Sequence, residues 1–388
     1  MKNFVFINIV VFIQFFLSAN SRAIDKGVSV VYSFEDELAK YKNIKRIKWD
    51  EQIEDEVKVP ENNIFKRLAF EDDEKFEAKL KQFEEIEDEE VVDEIPNEFP
   101  HEEDRLLKRS TISSSEYFRS QLSSFEKKVY DALYNISNKS KVSTLSFQLK
   151  DLKSSGVKSS YIKLYSSRGI GALVRDHPEF WWIKKYTVSM KNSGNYVNVL
   201  SVNIQSDYSL SDINTYKDKI KSRATSIANS ANKKSNTYNK LLYIHDYLVK
   251  YIKYKDGSSY SYNLYGALIK NASACEGYAE SFAYISRMIN VPTICVTSNS
   301  HKWNYVYLKS KWYAVDVTFD DPTVSGKNYD VGDANNLSRK FFLIGKDTVV
   351  SKNKTYTTYS NRKLVSYIEF SNATGFKFPT LSSSKYTP

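Results

Sequence analysis

A cysteine at the start of a helix is the feature that most constrains what this chain can fold into. Small or apolar residues recur at helical spacing from Cys275 to Ile289, and Pro292 ends the segment. Unpaired backbone N–H groups and the positive end of the helix dipole favour an anion at such a position. A thiol there, beside an imidazolium, can ionise at neutral pH, and the same N–H groups can hold an oxyanion.

Two extended runs follow this helix, and the dipeptide Lys309–Ser310 separates them. A two-residue hairpin turn would pair Leu308 with Lys311. It would also place His301 and Asp316 on one face of the hairpin, about 7–8 Å apart between Cα atoms. That separation lets an imidazole and a carboxylate meet. A three-residue turn would reverse the side-chain parity and separate the two groups.

A thiol, an imidazole and a carboxylate in this order indicate a nucleophilic acyl-transfer site. Cys275 would attack a carbonyl as a thiolate, and His301 would take its proton and return it to the leaving group. Asp316 would fix the tautomer and orientation of His301 and stabilise its cation.

The chain has only two cysteines and no Cys/His spacing typical of a zinc site. Cys295 lies in an apolar run and is predicted to be a small buried hydrophobe. A disulfide between Cys275 and Cys295 would block the nucleophile, so we expect none. No acidic loop with calcium-binding spacing is evident, and neither a metal nor a cofactor is predicted.

The N-terminus predicts export. Residues 1–23 resemble a signal peptide. The positive charge of Lys2 lies near their start, an apolar run over residues 4–17 follows, and Ser21–Ala23 places small residues at the expected cleavage positions. The apolar run is shorter than the roughly 20 residues that span a bilayer. The protein is therefore predicted to be secreted. Potential N-glycosylation acceptors are Asn135, Asn138, Asn271, Asn336, Asn353 and Asn372.

Charge is distributed unevenly behind this leader. Residues 24–109 carry 27 acidic and 15 basic side chains, a net charge of −12, and residues 110–388 carry 20 and 39, a net charge of +19. The dibasic pair Lys108–Arg109 predicts that residues 24–109 are an acidic pro-region, cut after Arg109, that contacts the basic part in cis. A disordered solubilising segment is the alternative.

Residues 110–235 read as a mixture of helices and strands that carries no obvious chemistry. A strand is predicted to begin at Phe180–Ile183, with Tyr196–Ile204 as its hairpin partner. Residues 240–254 follow as a strong helix that contains His245–Asp246. Neighbouring residues on a helix point about 100° apart, so these two side chains are not expected to face each other. His245 is predicted to be a packing or hydrogen-bonding residue.

Several motifs together resemble the transglutaminase-like superfamily, in particular its bacterial-type secreted members. The motifs are Asp176–Phe180, Ile244–Leu248, Tyr265–Leu268, Cys275–Ala279, His301 with Trp303–Asn304, Trp312–Tyr313, Asp316–Pro322 and Phe341–Leu343. The departures from the family pattern are Lys302 in place of a small residue, Phe319 in place of a tryptophan, and Lys309–Ser310 in place of an Asp-Gly turn.

The resemblance implies a papain-like α+β fold in which the helix that bears Cys275 packs on an antiparallel sheet. It implies Cys275, His301 and Asp316 as the catalytic triad. The expected supporting or substrate-binding residues are Glu276, Gly277, Tyr278, Tyr265, Trp303 and Asn304. Residues 236–345 would form the catalytic core, residues 110–235 the N-terminal part of the mature domain, and residues 346–388 a C-terminal extension.

The predicted function is that of a thiol acyl-transfer enzyme for protein or peptide amides. Water as the second nucleophile makes it a cysteine peptidase or amidase, and an amine makes it a protein-glutamine transamidase. Hydrolysis is slightly favoured. A dry tunnel walled by tryptophan would favour the amine, and Trp303 and Trp312 would either line such a tunnel or simply pack the hairpin, with packing favoured for Trp312. The alternative is a catalytically inactive basic module that binds polyanionic cell wall or polysaccharide. Nucleic acid is not an expected partner, because no recognition motif is present.

Overall fold

The structure, a computed structural model, describes residues 28–33, 116–298, 301–321, 337–351, 354–358 and 375–388. The predicted signal peptide, the predicted cleavage point after Arg109 and most of the acidic segment lie outside these ranges. So do the acceptors Asn336, Asn353 and Asn372. No helix in the described ranges is both long and apolar enough to cross a membrane.

Helices and strands alternate along the described chain. The α-helices are α1 (Ser124–Ser137), α2 (Ile162–Asp176), α3 (Leu210–Asn232), α4 (Thr237–Tyr251), α5 (Leu264–Leu268) and α6 (Cys275–Met288). The strands are β1 (Val28–Ser33), β2 (Ser146–Leu149), β3 (Lys185–Ser193), β4 (Tyr196–Gln205), β5 (Lys253–Tyr254), β6 (Ala272–Ser273), β7 (Thr293–Thr297), β8 (Lys302–Leu308), β9 (Lys311–Val315), β10 (Val349–Ser351) and β11 (Lys354–Thr355). The two larger sheets are antiparallel, which confirms the predicted α+β class.

The first sheet has the strand order β1-β3-β4-β2. Strands β3 and β4 form a hairpin whose turn contains Gly194 at a φ of 63°, a conformation that glycine adopts without strain. Strand β1 pairs with β3 over its whole length, from Val28 opposite Met190 to Ser33 opposite Lys185. Part of the segment predicted to be a pro-region or disordered is therefore an edge strand of this sheet.

The prediction that a strand begins at Phe180–Ile183 is wrong. Pro178–Phe180 form a short 3₁₀ turn, and β3 begins only at Lys185. Trp181 and Trp182 are consecutive and both buried. Side chains on a strand alternate between two faces, so two consecutive buried tryptophans fit a turn wrapped by the core better than a half-exposed strand.

Helices α1 and α2 pack closely beside this sheet. Ser123 and Glu126 form a capping box that starts α1, and Glu126 also accepts a hydrogen bond from Arg168 Nε at 2.7 Å. At Gly169, a Cβ would lie 2.8 Å from the backbone oxygen of Glu126, so only glycine permits this approach of the two helices. The buried Asp176 at the end of α2 accepts hydrogen bonds from the backbone N–H groups of residues 118 and 119.

The second half of the chain is built around α6. This helix packs against α3, α4 and α5 and against strands β7 and β8 of the three-stranded sheet β7-β8-β9. Gly277 lies in its first turn, where a Cβ would lie 2.0 Å from Ser273 Oγ and 2.8 Å from the backbone oxygen of Asn263. The predicted supporting residue Gly277 therefore has a packing reason to be glycine.

The C-terminal residues 375–388 pack against both halves. Leu381 forms an isolated bridge with Trp312, and the Tyr386 N–H donates to the Leu343 carbonyl at 2.9 Å. Phe376 is buried against Phe118, with 5.3 Å between ring centroids. The predicted C-terminal extension thus contributes to the core.

Candidate active site

Cys275 is the first residue of α6, as the helical spacing predicts. Ala274, which precedes it, is extended and has no side chain that could cap the helix. The Cys275 side chain is buried, and no disulfide joins it to Cys295. The thiol therefore lies where the backbone N–H groups and dipole of the first turn favour negative charge.

His301 and Asp316 form a buried pair. The distance from His301 Nε2 to Asp316 Oδ2 is 2.7 Å, and the two residues are 3% and 1% exposed. Asp316 follows β9 directly, and its other carboxylate oxygen accepts the Phe319 N–H at 3.0 Å. Since Nε2 is held by the carboxylate, any proton exchange with a nucleophile would take place at Nδ1.

The predicted two-residue hairpin turn is confirmed. Leu308 pairs with Lys311, and the pairing continues to Asn304 opposite Val315. Lys309 and Ser310 both have positive φ, 45° and 62°, as the common two-residue hairpin turns require. The period of two along each strand then places His301 and Asp316 on the same face, within contact.

Two aromatic rings lie parallel to the His301 imidazole. Phe319 stacks on it at 4.6 Å with an interplanar angle of 10°, and Trp303 at 5.3 Å with an angle of 12°. Phe319, a departure from the family pattern, thus contributes the aromatic face that a tryptophan would supply. Trp303 is 1% exposed, and the contact described for its ring is this stacking on the imidazole.

Polar contacts hold β8 against the first turns of α6. Asn304 Nδ2 donates to the Ala279 carbonyl at 2.8 Å, and Lys302 Nζ contacts Glu280 Oε1. Burial alone would lower the pKa of the Lys302 ammonium, but the charge of Glu280 outweighs it and raises the pKa. The positive charge of Lys302, the residue that follows His301, is therefore paired with the carboxylate of Glu280 on α6.

Glu276 lies beside the thiol. Cys275 Sγ donates to Glu276 Oε2 across 3.2 Å. A carboxylate so close opposes ionisation of the thiol, whereas the helix N-terminus favours it. Glu276 and the helix N-terminus thus act on the same sulfur in opposite directions.

The remaining predicted residues Tyr265 and Tyr278 are packed. The Tyr278 hydroxyl contacts the Ile252 carbonyl at 2.9 Å and the Asp321 carboxylate. Burial and the charge of Asp321 raise the pKa of Tyr278 well above its usual value. Tyr265 stacks on Trp181 with 5.6 Å between ring centroids. Neither tyrosine is placed as an exposed binding group.

The expectation that His245 and Asp246 do not face each other is wrong. His245 Nδ1 lies 3.1 Å from Asp246 Oδ1, and Arg339 Nε holds the same oxygen at 3.0 Å. A 100° offset between the Cα–Cβ bonds does not keep the side-chain ends apart, because the carboxylate swings back towards the ring. His245 is otherwise a buried, hydrogen-bonding residue, as predicted.

Sequence reasoning missed the carboxylates beyond Asp316. Asp320 contacts His245, and Asp321 contacts Tyr278; both acidic residues are buried. Two consecutive aspartates behind an apolar strand were a usable signal, since buried carboxylates need partners. The described residues contain no cluster of three or more His, Cys, Asp or Glu side chains able to hold a metal ion.

Comparisons with known proteins found a family model and solved structures that are similar to this chain. Residues 224–317 match the family model described as the transglutaminase-like superfamily. Two solved structures are similar. One is a TGase, with 17% sequence identity and a TM-score of 0.26; the match covers 40% of this chain and 48% of that chain. The other is a candidate cysteine protease from Cytophaga hutchinsonii, with 16% identity and a TM-score of 0.24; the match covers 35% of this chain and 58% of that chain. The chain thus spans about half the length of these two relatives. No curated protein matches the chain.

Residues 224–317 include the thiol, the imidazole and the carboxylate whose arrangement is described above. The similarity to the transglutaminase-like superfamily therefore covers this candidate site.

Proposed function

We propose that the protein is a secreted thiol acyl-transfer enzyme that acts on protein or peptide amides through a thioester. The observation that carries the proposal is the buried His301–Asp316 pair, 2.7 Å between Nε2 and Oδ2, on a sheet packed against the helix that begins with Cys275. This arrangement suits nucleophilic catalysis by a thiol with an oriented base.

In the acylation step, the Cys275 sulfur attacks the amide carbonyl carbon. His301 accepts the thiol proton and delivers it to the amine nitrogen as the C–N bond breaks, which leaves a thioester. The negative oxygen of the tetrahedral intermediate is held by backbone N–H groups at the start of α6. Asp316 stabilises the imidazolium that forms between the two proton transfers.

In the deacylation step, a second nucleophile attacks the thioester carbon and His301 removes its proton. Water releases a carboxylic acid, and a primary amine releases a new amide; in both cases the Cys275 thiolate leaves. We favour hydrolysis, because Trp303 and Trp312 are both packed into the hairpin core. At 1% and 6% exposure, these rings leave little surface to line a tunnel for an amine.

Paired variants test the proposal. The wild-type chain, Cys275→Ala and the matched control Cys295→Ala are incubated with an amine probe and a glutamine-rich acceptor protein, and incorporation and fragmentation are followed in the same samples. We expect fragmentation that is lost in Cys275→Ala and retained in Cys295→Ala. Amine incorporation with the same dependence would indicate transamidation instead.

A negative result would also be informative. If neither activity depends on Cys275, and iodoacetamide modifies this thiol no faster than a thiol in solution, the enzyme proposal is wrong. A basic module that binds cell-surface polyanions then becomes the better reading of the charge of residues 110–388.

A further inference from the structure

A second histidine is buried between two carboxylates. His245 on α4 is fully buried; its Nδ1 lies 3.1 Å from Asp246 Oδ1 and its Nε2 lies 3.0 Å from Asp320 Oδ2. An ionised carboxylate only accepts hydrogen bonds, and a neutral imidazole carries one N–H. Only the imidazolium donates to both carboxylates at once.

The charges around His245 balance in that form. Asp246 lies on the same helix, Asp320 lies in the turn after β9, and Arg339 lies further along the chain. Arg339 Nε donates to Asp246 Oδ1 at 3.0 Å. The two cations and the two carboxylates then carry no net charge. Burial alone would lower the pKa of His245, but hydrogen bonds to Asp246 and Asp320 and their charges raise it. A neutral ring would leave one carboxylate charge uncompensated in the interior, which is costly.

Asp320 connects this cluster to Asp316. Its carboxylate accepts the Phe341 N–H at 3.1 Å and the Ser338 hydroxyl at 3.0 Å. The Phe341 carbonyl in turn accepts the Asp316 N–H at 3.1 Å, and the Asp320 N–H donates to the Asp316 carbonyl at 3.2 Å. The Asp316 N–H is therefore held by Phe341, which the Asp320 carboxylate binds, and the Asp316 carbonyl is held by Asp320 itself.

We propose that His245 is a positioning residue: as a buried imidazolium, it fixes Asp320 and thereby the turn that aligns Asp316 with His301. The inference rests on the proposed function, in which the His301–Asp316 pair activates the nucleophile. Loss of the His245 charge, by substitution or at alkaline pH, removes the donor from Asp320 and frees this turn. His245 itself touches no reacting atom.

Nitrogen-15 spectra of labelled histidine in the full chain test the protonation directly. The chain has four histidines, and His245→Gln, His177→Gln and His301→Gln each assign one ring signal. We expect both ring nitrogens of His245 to be protonated at neutral pH. In Asp320→Asn, which removes a carboxylate charge that favours the imidazolium, we expect His245 to carry one ring proton fewer. A His245 ring with one unprotonated nitrogen in the wild-type protein would overturn the inference.

The same spectra report positioning. We expect the Nε2–H signal of His301 to shift or broaden in His245→Gln and in Asp320→Asn. The matched control is His177→Gln, which removes a buried histidine that pairs with Glu179 at 2.8 Å and should leave the His301 signal unchanged. An unchanged His301 signal in Asp320→Asn, or in a folded His245→Gln, contradicts the inference.

Kinetics then separate positioning from binding. We expect His245→Gln to lower kcat by about 10- to 100-fold, as small misplacements of a catalytic group do, with KM changed by less than about twofold. His177→Gln should change neither. If His245→Gln folds and keeps the wild-type kcat, the inference is rejected. If His245→Gln does not fold, a wild-type kcat in Asp320→Asn rejects it. If the wild-type protein has no Cys275-dependent turnover, the proposed function fails, while the spectra still decide whether His245 orders His301.

Discussion

At the residue scale, the thiol is subject to two opposing influences. Its position at the start of α6 favours the thiolate, and the Glu276 carboxylate 3.2 Å from the sulfur favours the thiol. Helical spacing was sufficient to predict the first influence, because it depends only on where the helix begins. The second depends on a side-chain rotamer, which the sequence does not determine.

Glu276→Gln should make the nucleophile more reactive. Removing a charge within hydrogen-bonding distance of the sulfur eases thiolate formation, an effect of about 1–4 kcal/mol at 4 Å across the range from water to a protein surface. We expect Cys275 to be alkylated at least several-fold faster by iodoacetamide at neutral pH. The rate is measured by mass spectrometry of the peptide that contains Cys275.

The control for this substitution is Glu116→Gln, which removes an exposed carboxylate from another part of the chain. Its alkylation rate should equal that of the wild-type protein. Equal or slower alkylation of Glu276→Gln would show that the carboxylate does not restrain the thiol.

At the element scale, the hairpin β8–β9 sets the geometry of the site. A period of two and a two-residue turn were enough to predict that His301 and Asp316 meet, because parity alone decides which residues share a face. The turn itself is strained: Lys309 and Ser310 occupy the left-handed region at φ of 45° and 62° without being glycine.

Ser310→Gly should therefore stabilise the protein. A non-glycine residue in the left-handed conformation costs about 1–2 kcal/mol, although the added freedom of glycine in the unfolded chain offsets part of this. We expect the free energy of unfolding to rise by about 0.5–1 kcal/mol. Denaturant titration measures it.

Ser222→Gly is the matched control, since Ser222 is exposed in the interior of α3. There glycine should destabilise by about 0.5–1 kcal/mol, the opposite sign. Destabilisation in both variants would show that the turn stores no removable strain.

Other contacts between elements could not be predicted from local patterns. His245 and Asp320 are separated by 75 residues, and their contact follows from how α4 packs against the turn after β9. The sequence predicted that His245 is a packing or hydrogen-bonding residue but not which carboxylates would face it. The Phe180–Ile183 strand prediction failed for a related reason, because adjacent aromatic residues suit a strand locally and only the core decides that both are buried.

At the scale of the whole molecule, residues 375–388 join the two halves. Phe376 packs beneath Arg168 and Arg175 of α2, each 5.1 Å from its ring centroid, while Leu381 bridges to Trp312 of β9. The sequence identified residues 346–388 only as a C-terminal extension and gave no indication of such a role.

Phe376→Ala should destabilise the protein by about 3–5 kcal/mol, the range for truncating a buried aromatic side chain. The loss removes the surface on which α2 and Phe118 rest. Lys377→Ala is the control, because Lys377 contacts its neighbours through its backbone and its side chain is exposed. Chemical unfolding of both variants gives the free energies. A loss below about 1 kcal/mol for Phe376→Ala would contradict the proposed packing role.

Strand β1 carries a further consequence. Its six residues are joined to β3 by a continuous ladder, although residues 34–115 separate it in the chain from the next described residue. If a peptide bond were broken anywhere in that interval, the two resulting polypeptides would stay together as a noncovalent complex through this shared sheet. They would co-migrate under native conditions and separate only when the sheet is denatured.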